Sequence, residues 1–222
     1  FEDLLYQNIN QPGGRSSADT ELPSGLMVGA GSKVVATQKA HTQGNLLTTD
    51  NALDMSIQGR GFFEILQPDG TIAYTRNGQF TLNDQGQIVT PGAGFLLQPE
   101  IAIPDGASQI NISSDGIISV LVAGGVGAEE VGQLTIADFT NKIGLQPVGE
   151  SFFVQTDTSG DPIEGNPNEQ GLGRVVQGAL EASNVNVVTE LVEMIETQRA
   201  YEVSSKSITS VDEMLRFISQ NL

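Results

Sequence analysis

The residues of this chain that could carry out chemistry are few. There is one histidine, His41, and no cysteine. A Ser-His or Cys-His nucleophile would therefore depend on a single imidazole in a polar Thr/Gln neighbourhood, and we interpret His41 as a surface or strand-edge residue. The absence of cysteine also excludes disulfides and Cys-ligated zinc. Paired carboxylates for glycoside chemistry remain open in so acidic a chain, but no pair stands out.

Two short segments resemble ligand-binding loops without matching their patterns. Residues 29–33 (GAGSK) are similar to a phosphate loop, but Ser32 separates Gly31 from Lys33 and breaks the required order. Residues 157–168 begin with the spacing of a calcium loop, but Pro162 takes the sixth position, where glycine is needed, and Asn168 takes the twelfth, where an acid is needed. The sequence predicts no enzyme, no cofactor and no metal site, and leaves loose calcium affinity as an alternative.

The charge balance excludes several classes of partner. Among 222 residues, 27 are Asp or Glu and 10 are Lys or Arg, which gives a formal net charge of −17. Binding to nucleic acid or to an anionic membrane surface needs clustered cations, so neither is predicted. The longest mainly apolar stretch, residues 116–128, is too short to span a bilayer. The 26 glycines indicate many turns and little helix in most of the chain.

Three zones are distinguished by composition and period, and the first covers residues 1–23. It opens with a short apolar piece and continues as QNINQPGGRSSADTELP, which has too few apolar residues to build a core. We expect it to be extended or irregular. Two interpretations stay open: a flexible linker, or an extended strap that is ordered only against a neighbouring subunit.

The second zone, residues 24–182, is predicted to be a β-rich body. Apolar residues recur there at a spacing of two, as half-buried strands require, because successive side chains point to opposite faces. Turn formers separate the runs at residues 68–70, 83–86, 104–106 and 114–116. This spacing predicts an antiparallel sandwich or barrel-like body, with residues 156–173 as a long exposed loop. The alternating runs contain Leu53, Met55, Ile57, Phe63, Ile65, Ile72, Tyr74, Phe80, Leu82, Phe95, Leu97, Ile101, Ile103, Ile110, Ile112, Ile118, Val120 and Val122.

The third zone, residues 183–222, is predicted to contain one helix of about 34 residues that starts at Val187 with Asn184 or Asn186 as its N-cap. An apolar row at seven-residue spacing is typical of a coiled-coil seam. The middle of the row is polar, at Gln198, Ser204 and Ser205, so packing should be weaker there. The predicted assembly seam comprises Val187, Leu191, Met194, Ile195, Tyr201, Ile208, Val211, Leu215, Ile218 and Leu222.

The seam requires a partner, and two arrangements provide one. The helix could lie on its own β body as an amphipathic helix. Alternatively, the partner could come from preceding N-terminal sequence, from another subunit, or from both. We favour the second arrangement because the helix is longer than the usual ~8–20 residues and no comparable helical partner is predicted elsewhere in the chain.

These residues carry a resemblance to a known family. Residues 178–220 resemble the C-terminal signature of the axial proteins of the bacterial flagellum, the rod and hook proteins. Residues 59–63, 68–71, 74–78, 89–90 and 101–104, together with Gly86, are similar to further motifs of that family, so the resemblance covers essentially the whole chain. Residues 6–23 are similar to an extra stretch that distal-rod members carry and hook proteins lack. This rod-specific segment includes Tyr6, Gln7, Gln11, Pro12, Gly13, Gly14, Leu22 and Pro23.

The resemblance implies a fold and a role. The fold is mainly β, with an antiparallel body of short strands and hairpins and one long C-terminal coiled-coil-type helix of the rod core. The family's N-terminal helix, its expected coiled-coil partner, is absent from this sequence. The implied role is that of a structural protein that self-assembles into the distal rod of the flagellar basal body. That rod is a hollow, rigid shaft in the periplasmic space, which passes motor torque to the hook and carries the export channel.

The implied partners are other copies of the chain in a helical homopolymer, the proximal rod proteins, the hook protein and the surrounding ring proteins. The flagellar export apparatus and the rod cap act during assembly, and export uses no cleaved signal peptide. The resemblance implies neither nucleic acid binding nor direct membrane insertion. The alternatives are a proximal-rod or hook relative, or, in different classes, an acidic β-rich secreted binding module or a hydrolase.

Overall fold

The structure, a computed structural model, describes residues 2–10, 26–122 and 127–220. The chain divides into two compact units, Phe1–His41 and Thr42–Leu222. In the first unit, β1 (Glu2–Asp3) pairs with β4 (Ser32–Lys33), and β2 (Tyr6–Asn10) pairs with β3 (Leu26–Gly29). Both pairs are antiparallel.

The second unit contains most of the strands, in agreement with the predicted β body. A short 3-10 helix, Lys142–Gly144, interrupts them, and the long helix α1, Val187–Gln220, follows them. The strands are β5 (Leu46–Thr48), β6 (Met55–Gln58), β7 (Phe62–Leu66), β8 (Ile72–Thr75), β9 (Thr81–Leu82), β10 (Ile88–Val89), β11 (Leu96–Gln98), β12 (Ala107–Ile112), β13 (Ile117–Val122), β14 (Ala128–Gln133), β15 (Ile136–Asp138), β16 (Gln146–Gly149), β17 (Phe152–Val154), β18 (Ile163–Gly165), β19 (Arg174–Gln177) and β20 (Ala179–Glu181).

One nine-stranded sheet organises this unit. Its order is β16-β17-β8-β7-β11-β10-β9, with β15 also paired to β7 and β18 paired to β15. A three-stranded sheet β12-β13-β14 and two ribbons, β6-β19 and β5-β20, complete the body. Every described pairing in the unit is antiparallel, which confirms the predicted fold class.

The two faces of the main sheet bury different clusters of side chains. Phe63 and Ile65 of β7 face the larger core, whereas their neighbour Phe62 faces a small aromatic cluster, because successive side chains of a strand alternate. The aromatic rings of the second cluster pack edge to face, with the Tyr74 and Phe139 centroids 4.7 Å apart. The larger core contains Met55, Ile57, Phe63, Ile65, Ala73, Phe80, Ile88, Leu97, Ile101, Ile103, Ile112, Ile118, Val120, Leu134, Ile136, Phe152 and Val175.

Three of the predicted turns are hairpin connections. Residues 68–70 join β7 to β8, residues 83–86 join β9 to β10, and residues 114–116 join β12 to β13. In the first of these, the Asp69 carboxylate accepts hydrogen bonds from the hydroxyl and the backbone N–H of Thr71, and these bonds, the hydroxyl bond first, lower the pKa of Asp69. The fourth turn, at residues 104–106, precedes β12 without forming a hairpin.

The prediction of a long exposed loop at residues 156–173 was wrong in part. Strand β18 lies within it and pairs with β15. Ser159 is 1% exposed and its hydroxyl donates to the carbonyl oxygen of Thr156 at 2.8 Å. Local polar bonds and one short strand order this segment, which is why its low apolar content was misleading.

The hairpin between β16 and β17 uses unfavourable turn residues. Gly149 pairs with Phe152, so Glu150 and Ser151 form a two-residue loop, and both have positive φ, 49° and 67°. Such turns favour Asn-Gly, because L side chains are strained in the left-handed region. We expect Glu150→Asn with Ser151→Gly to stabilise the chain by about 1 kcal/mol. Calorimetry should show a melting temperature raised by roughly 2–4 °C, and a lowered value would contradict this account of the turn.

Helix α1 has the predicted start and length. It covers 34 residues from Val187. Among the helices of the described residues, none is long and apolar enough to cross a membrane.

Candidate assembly surface

The described side chains of α1 are all exposed to solvent, apart from residue 219, which is not described. The nine described residues of the predicted seam, here called the apolar row, are between 48% and 76% exposed. Neither apolar cluster of the described β body includes a residue of α1. The helix therefore presents an uncovered apolar row. The row consists of Val187, Leu191, Met194, Ile195, Tyr201, Ile208, Val211, Leu215 and Ile218; Leu222 lies outside the described residues.

The start of α1 is fixed by a side-chain cap. The Asn186 carboxamide oxygen accepts from the backbone N–H of Val188 at 3.1 Å, and its carbonyl accepts from Glu190 at 3.1 Å. The first bond satisfies an N–H group that the first helical turn leaves unpaired, and the second is the first intrahelical bond. Asn186 is thus the N-cap. Asn184, the other candidate, instead donates through its amide to the carbonyl and hydroxyl oxygens of Thr42.

The polar middle of α1 makes its hydrogen bonds within the helix. The hydroxyls of Thr197, Ser204 and Ser207 each donate to the carbonyl oxygen four residues earlier, at 2.8–2.9 Å. These polar side chains offer little apolar surface against which a partner helix could pack. The row therefore divides into an upstream and a downstream apolar part with a polar stretch between them.

The chain that enters α1 is tied to the start of the second unit. Strand β20 pairs with β5, and the backbone N–H of Ala182 donates to the carbonyl oxygen of Asn45 at 2.8 Å. A Cβ atom on Gly44 would overlap the carbonyl oxygen of Ala182, so only glycine permits this close approach. We call residues 42–48 and 179–184 the root ribbon.

Comparison with known proteins gives the family. Residues 56–120 match the family described as the flagellar hook protein FlgE/F/G D1 domain, and residues 176–221 match the C-terminal family of flagellar basal body rod FlgEFG proteins. The chain is 51% identical over 220 residues to the flagellar basal-body rod protein FlgG of Buchnera aphidicola subsp. Acyrthosiphon pisum, across 99% of this chain and 84% of the relative. The chain belongs to the flagellar basal-body rod protein family. It is a structural component of the rod, located in the flagellar basal body.

Two relatives from one organism separate the branches of this rod family. The FlgG rod protein of Caulobacter vibrioides is 44% identical over 221 residues, across 99% of this chain and 84% of the relative. The FlgF rod protein of the same bacterium is 31% identical over 185 residues, across 82% of this chain and 70% of the relative. The rod protein described here is thus more similar to the first branch than to the second.

The rod-specific segment is only partly described. Tyr6 and Gln7 lie in β2, which pairs with β3, and the Tyr6 hydroxyl donates to the Asp3 carboxylate at 3.0 Å. The other predicted residues of this segment lie outside the described residues: Gln11, Pro12, Gly13, Gly14, Leu22 and Pro23. The division into residues 1–23, 24–182 and 183–222 stays a prediction.

Sequence reasoning missed two charged residues of the body, Arg76 and Glu64. Arg76 binds the root ribbon, and Glu64 is buried in the main sheet at 4% exposure. The sequence signal in each case is the position of the charge: Glu64 lies within an apolar strand pattern, and Arg76 directly follows one. Among the described residues, no group of three or more His, Cys, Asp or Glu side chains could hold a metal ion.

Proposed function

We propose that this rod protein self-assembles through α1 into the distal rod, a hollow shaft that passes torque to the hook and carries the export channel. The observation behind the proposal is the uncovered apolar row on a 34-residue helix. A long helix draws most of its stability from packing an apolar face, and burying a Leu-sized side chain contributes about 1.5–3 kcal/mol. The apolar row therefore acts as the assembly seam, packed against helices of the same polymer.

The distal part of the rod is favoured over the proximal part and the hook. The greater identity to the FlgG rod protein than to the FlgF rod protein of the same bacterium supports this choice, as does the rod-specific segment at residues 6–23. In this assignment the partners are other copies of the chain, the proximal rod proteins, the hook protein and the surrounding rings. The rod lies in the periplasmic space, the export apparatus and the rod cap act during assembly, and export uses no cleaved signal peptide.

Cysteine labelling tests the seam, because the chain contains no cysteine of its own. Ile208, 68% exposed, lies in the apolar row. In the dilute chain, an Ile208→Cys variant should react rapidly with a maleimide. In basal bodies isolated from cells that carry the same variant, the reaction should be slowed at least about ten-fold, because packing excludes solvent from the seam. Equal rates in the two states would contradict the proposal.

A control variant places the thiol on the other side of α1. Ser210 is exposed and lies about 200° around the helix from Ile208, at 100° per residue. We expect the rate for Ser210→Cys to fall less on assembly than the rate for Ile208→Cys. This comparison separates burial of the apolar row from a general loss of access to the helix.

A further inference from the structure

Arg76 makes an unusually complete set of hydrogen bonds beside the root ribbon. Its Nε and Nη2 atoms lie 3.0 and 2.9 Å from Oε2 of Glu181. Nη1 donates to the carbonyl oxygens of Gly59 and Gly61 at 2.9 and 2.7 Å, and Nη2 donates to that of Ile57 at 3.2 Å. One guanidinium thus joins the end of β20 to the segment that links β6 and β7.

Glu181 extends this connection across the root ribbon. Its Oε1 atom accepts from the backbone N–H of Gly44 at 2.9 Å, while its Oε2 atom binds Arg76. The side chain of Glu181 is 12% exposed and that of Arg76 is 23% exposed, so water competes little for these bonds. Helix α1 begins only six residues after Glu181.

The root ribbon has little apolar packing to hold it in place. In β5, Leu47 and Thr48 are exposed, and in β20 only Ala179 is fully buried. Gln43 adds polar bonds of the same kind: its amide donates to the carbonyl oxygen of Ile57, and its own oxygen accepts from the N–H of Gly59. Polar bonds centred on Arg76 therefore replace a hydrophobic core at this point.

We propose that Arg76 is a positioning residue that fixes the root ribbon, and with it the start of α1, to the β body. A mechanical load on the helix is then passed to the body without bending the root ribbon. The transfer of load rests on the proposed function, whereas the fixing of the root ribbon within the chain is independent of it. Arginine is required because its planar group carries five donors, whereas a lysine ammonium is a compact charge with three.

Hydrogen exchange in the chain tests the local effect. In Arg76→Lys, the charge is kept but most of the five contacts are lost, and exchange at the Gly44 and Ala182 amides should rise at least about ten-fold. Exchange at Ile65 in the core should stay unchanged. If the lysine variant protects Gly44 and Ala182 as well as the native chain does, Arg76 is a simple ion-pair partner and the inference is wrong.

Two further variants keep the result interpretable. Arg174 donates from its Nε to the Gln58 carboxamide oxygen at 2.8 Å and is exposed, so Arg174→Lys should leave all three amides unchanged. Glu181→Gln keeps the three carbonyl acceptors of Arg76 and should raise exchange by a smaller factor than Arg76→Lys. A general rise that includes Ile65 in either Arg76→Lys or Glu181→Gln would show loss of the fold and overturn the positioning role.

The mechanical consequence is measured on rods. Basal bodies with Glu181→Gln or Arg76→Lys should contain rods whose bending stiffness is reduced at least about two-fold, in the same order as the exchange rates. Unchanged stiffness beside faster exchange would overturn the load-passing role. Failure of the Ile208→Cys labelling test would reject the proposed seam while leaving the exchange result intact, so the two failures are distinguishable.

Discussion

Replacing Leu215 by Asp should abolish rod assembly and leave the melting temperature of the β body unchanged. Leu215 is 59% exposed and belongs to neither apolar cluster of the body. Once packed in a polymer, the native side chain contributes about 1.5–3 kcal/mol. The carboxylate forfeits that gain and adds a desolvation cost of several kcal/mol. Electron microscopy of basal bodies measures the first effect, and calorimetry of the chain measures the second.

Ser210→Asp is the matched control, since it adds the same charge on the opposite side of α1. Rods should form with this variant. The result that would contradict the prediction is a change in the melting temperature of the chain. If Leu215→Asp lowers its melting temperature by several degrees while Ser210→Asp does not, the helix packs on its own β body and the apolar row is no seam.

The short-range spacing of apolar residues explains which parts of the fold could be predicted from the sequence. The seven-residue apolar row and the Asn186 cap predicted the helix, and period-two alternation with turn residues predicted the β7–β8, β9–β10 and β12–β13 hairpins. The order of the main sheet depends on partners distant in the chain. Strand β7 pairs with β8, β11 and β15, and the sequence has no local signal for the last pairing. Pairing of this kind is decided by the shared core, which is why it was not predicted.

The same distinction applies to the candidate site. The apolar row lies on one element, so its spacing alone was sufficient to predict it. The Arg76 contacts join Glu181, 105 residues away, to backbone carbonyl groups. Every residue has a backbone carbonyl group, so the sequence does not show which of them accept a hydrogen bond. The buried position of Glu64 likewise depends on strands on both sides of β7: Tyr74 of β8 and Gln98 of β11 are its register partners.

Glu64 should make the stability of the β body dependent on pH. It is 4% exposed, and Oε1 has no hydrogen-bond partner among the described residues. The pKa of Glu64 is raised to about 7, chiefly by burial and secondly by the charge of Glu164, while a side-chain hydrogen bond with Thr135 acts in the opposite direction. Burial, with the charges of Glu64 and Glu164, raises the pKa of the nearby Tyr74 to about 12, so this phenol stays neutral in the same range.

The direction of the pH effect follows from the raised pKa. Below the ordinary glutamate pKa of 4.5, Glu64 is protonated in both the folded and the unfolded chain, so no charge is buried on folding. As the pH rises from there to about 7, the unfolded chain releases the proton while the folded chain keeps it, so the free energy of unfolding falls. Above about 7 both forms are ionised and the loss levels off. Its size is on the order of 3 kcal/mol, at 1.36 kcal/mol per pKa unit.

Glu64→Gln should remove this loss, because the amide has nearly the same shape and no charge to bury. At pH 8 the variant should be more stable than the native chain by up to about 3 kcal/mol, and near pH 4.5 the two should be nearly equal. Denaturant unfolding at several pH values measures both. Glu164→Gln is the control, since it removes only the second cause and should keep most of the native pH dependence. Parallel stability curves for the native chain and Glu64→Gln would show that Glu64 is ionised at no cost in the fold.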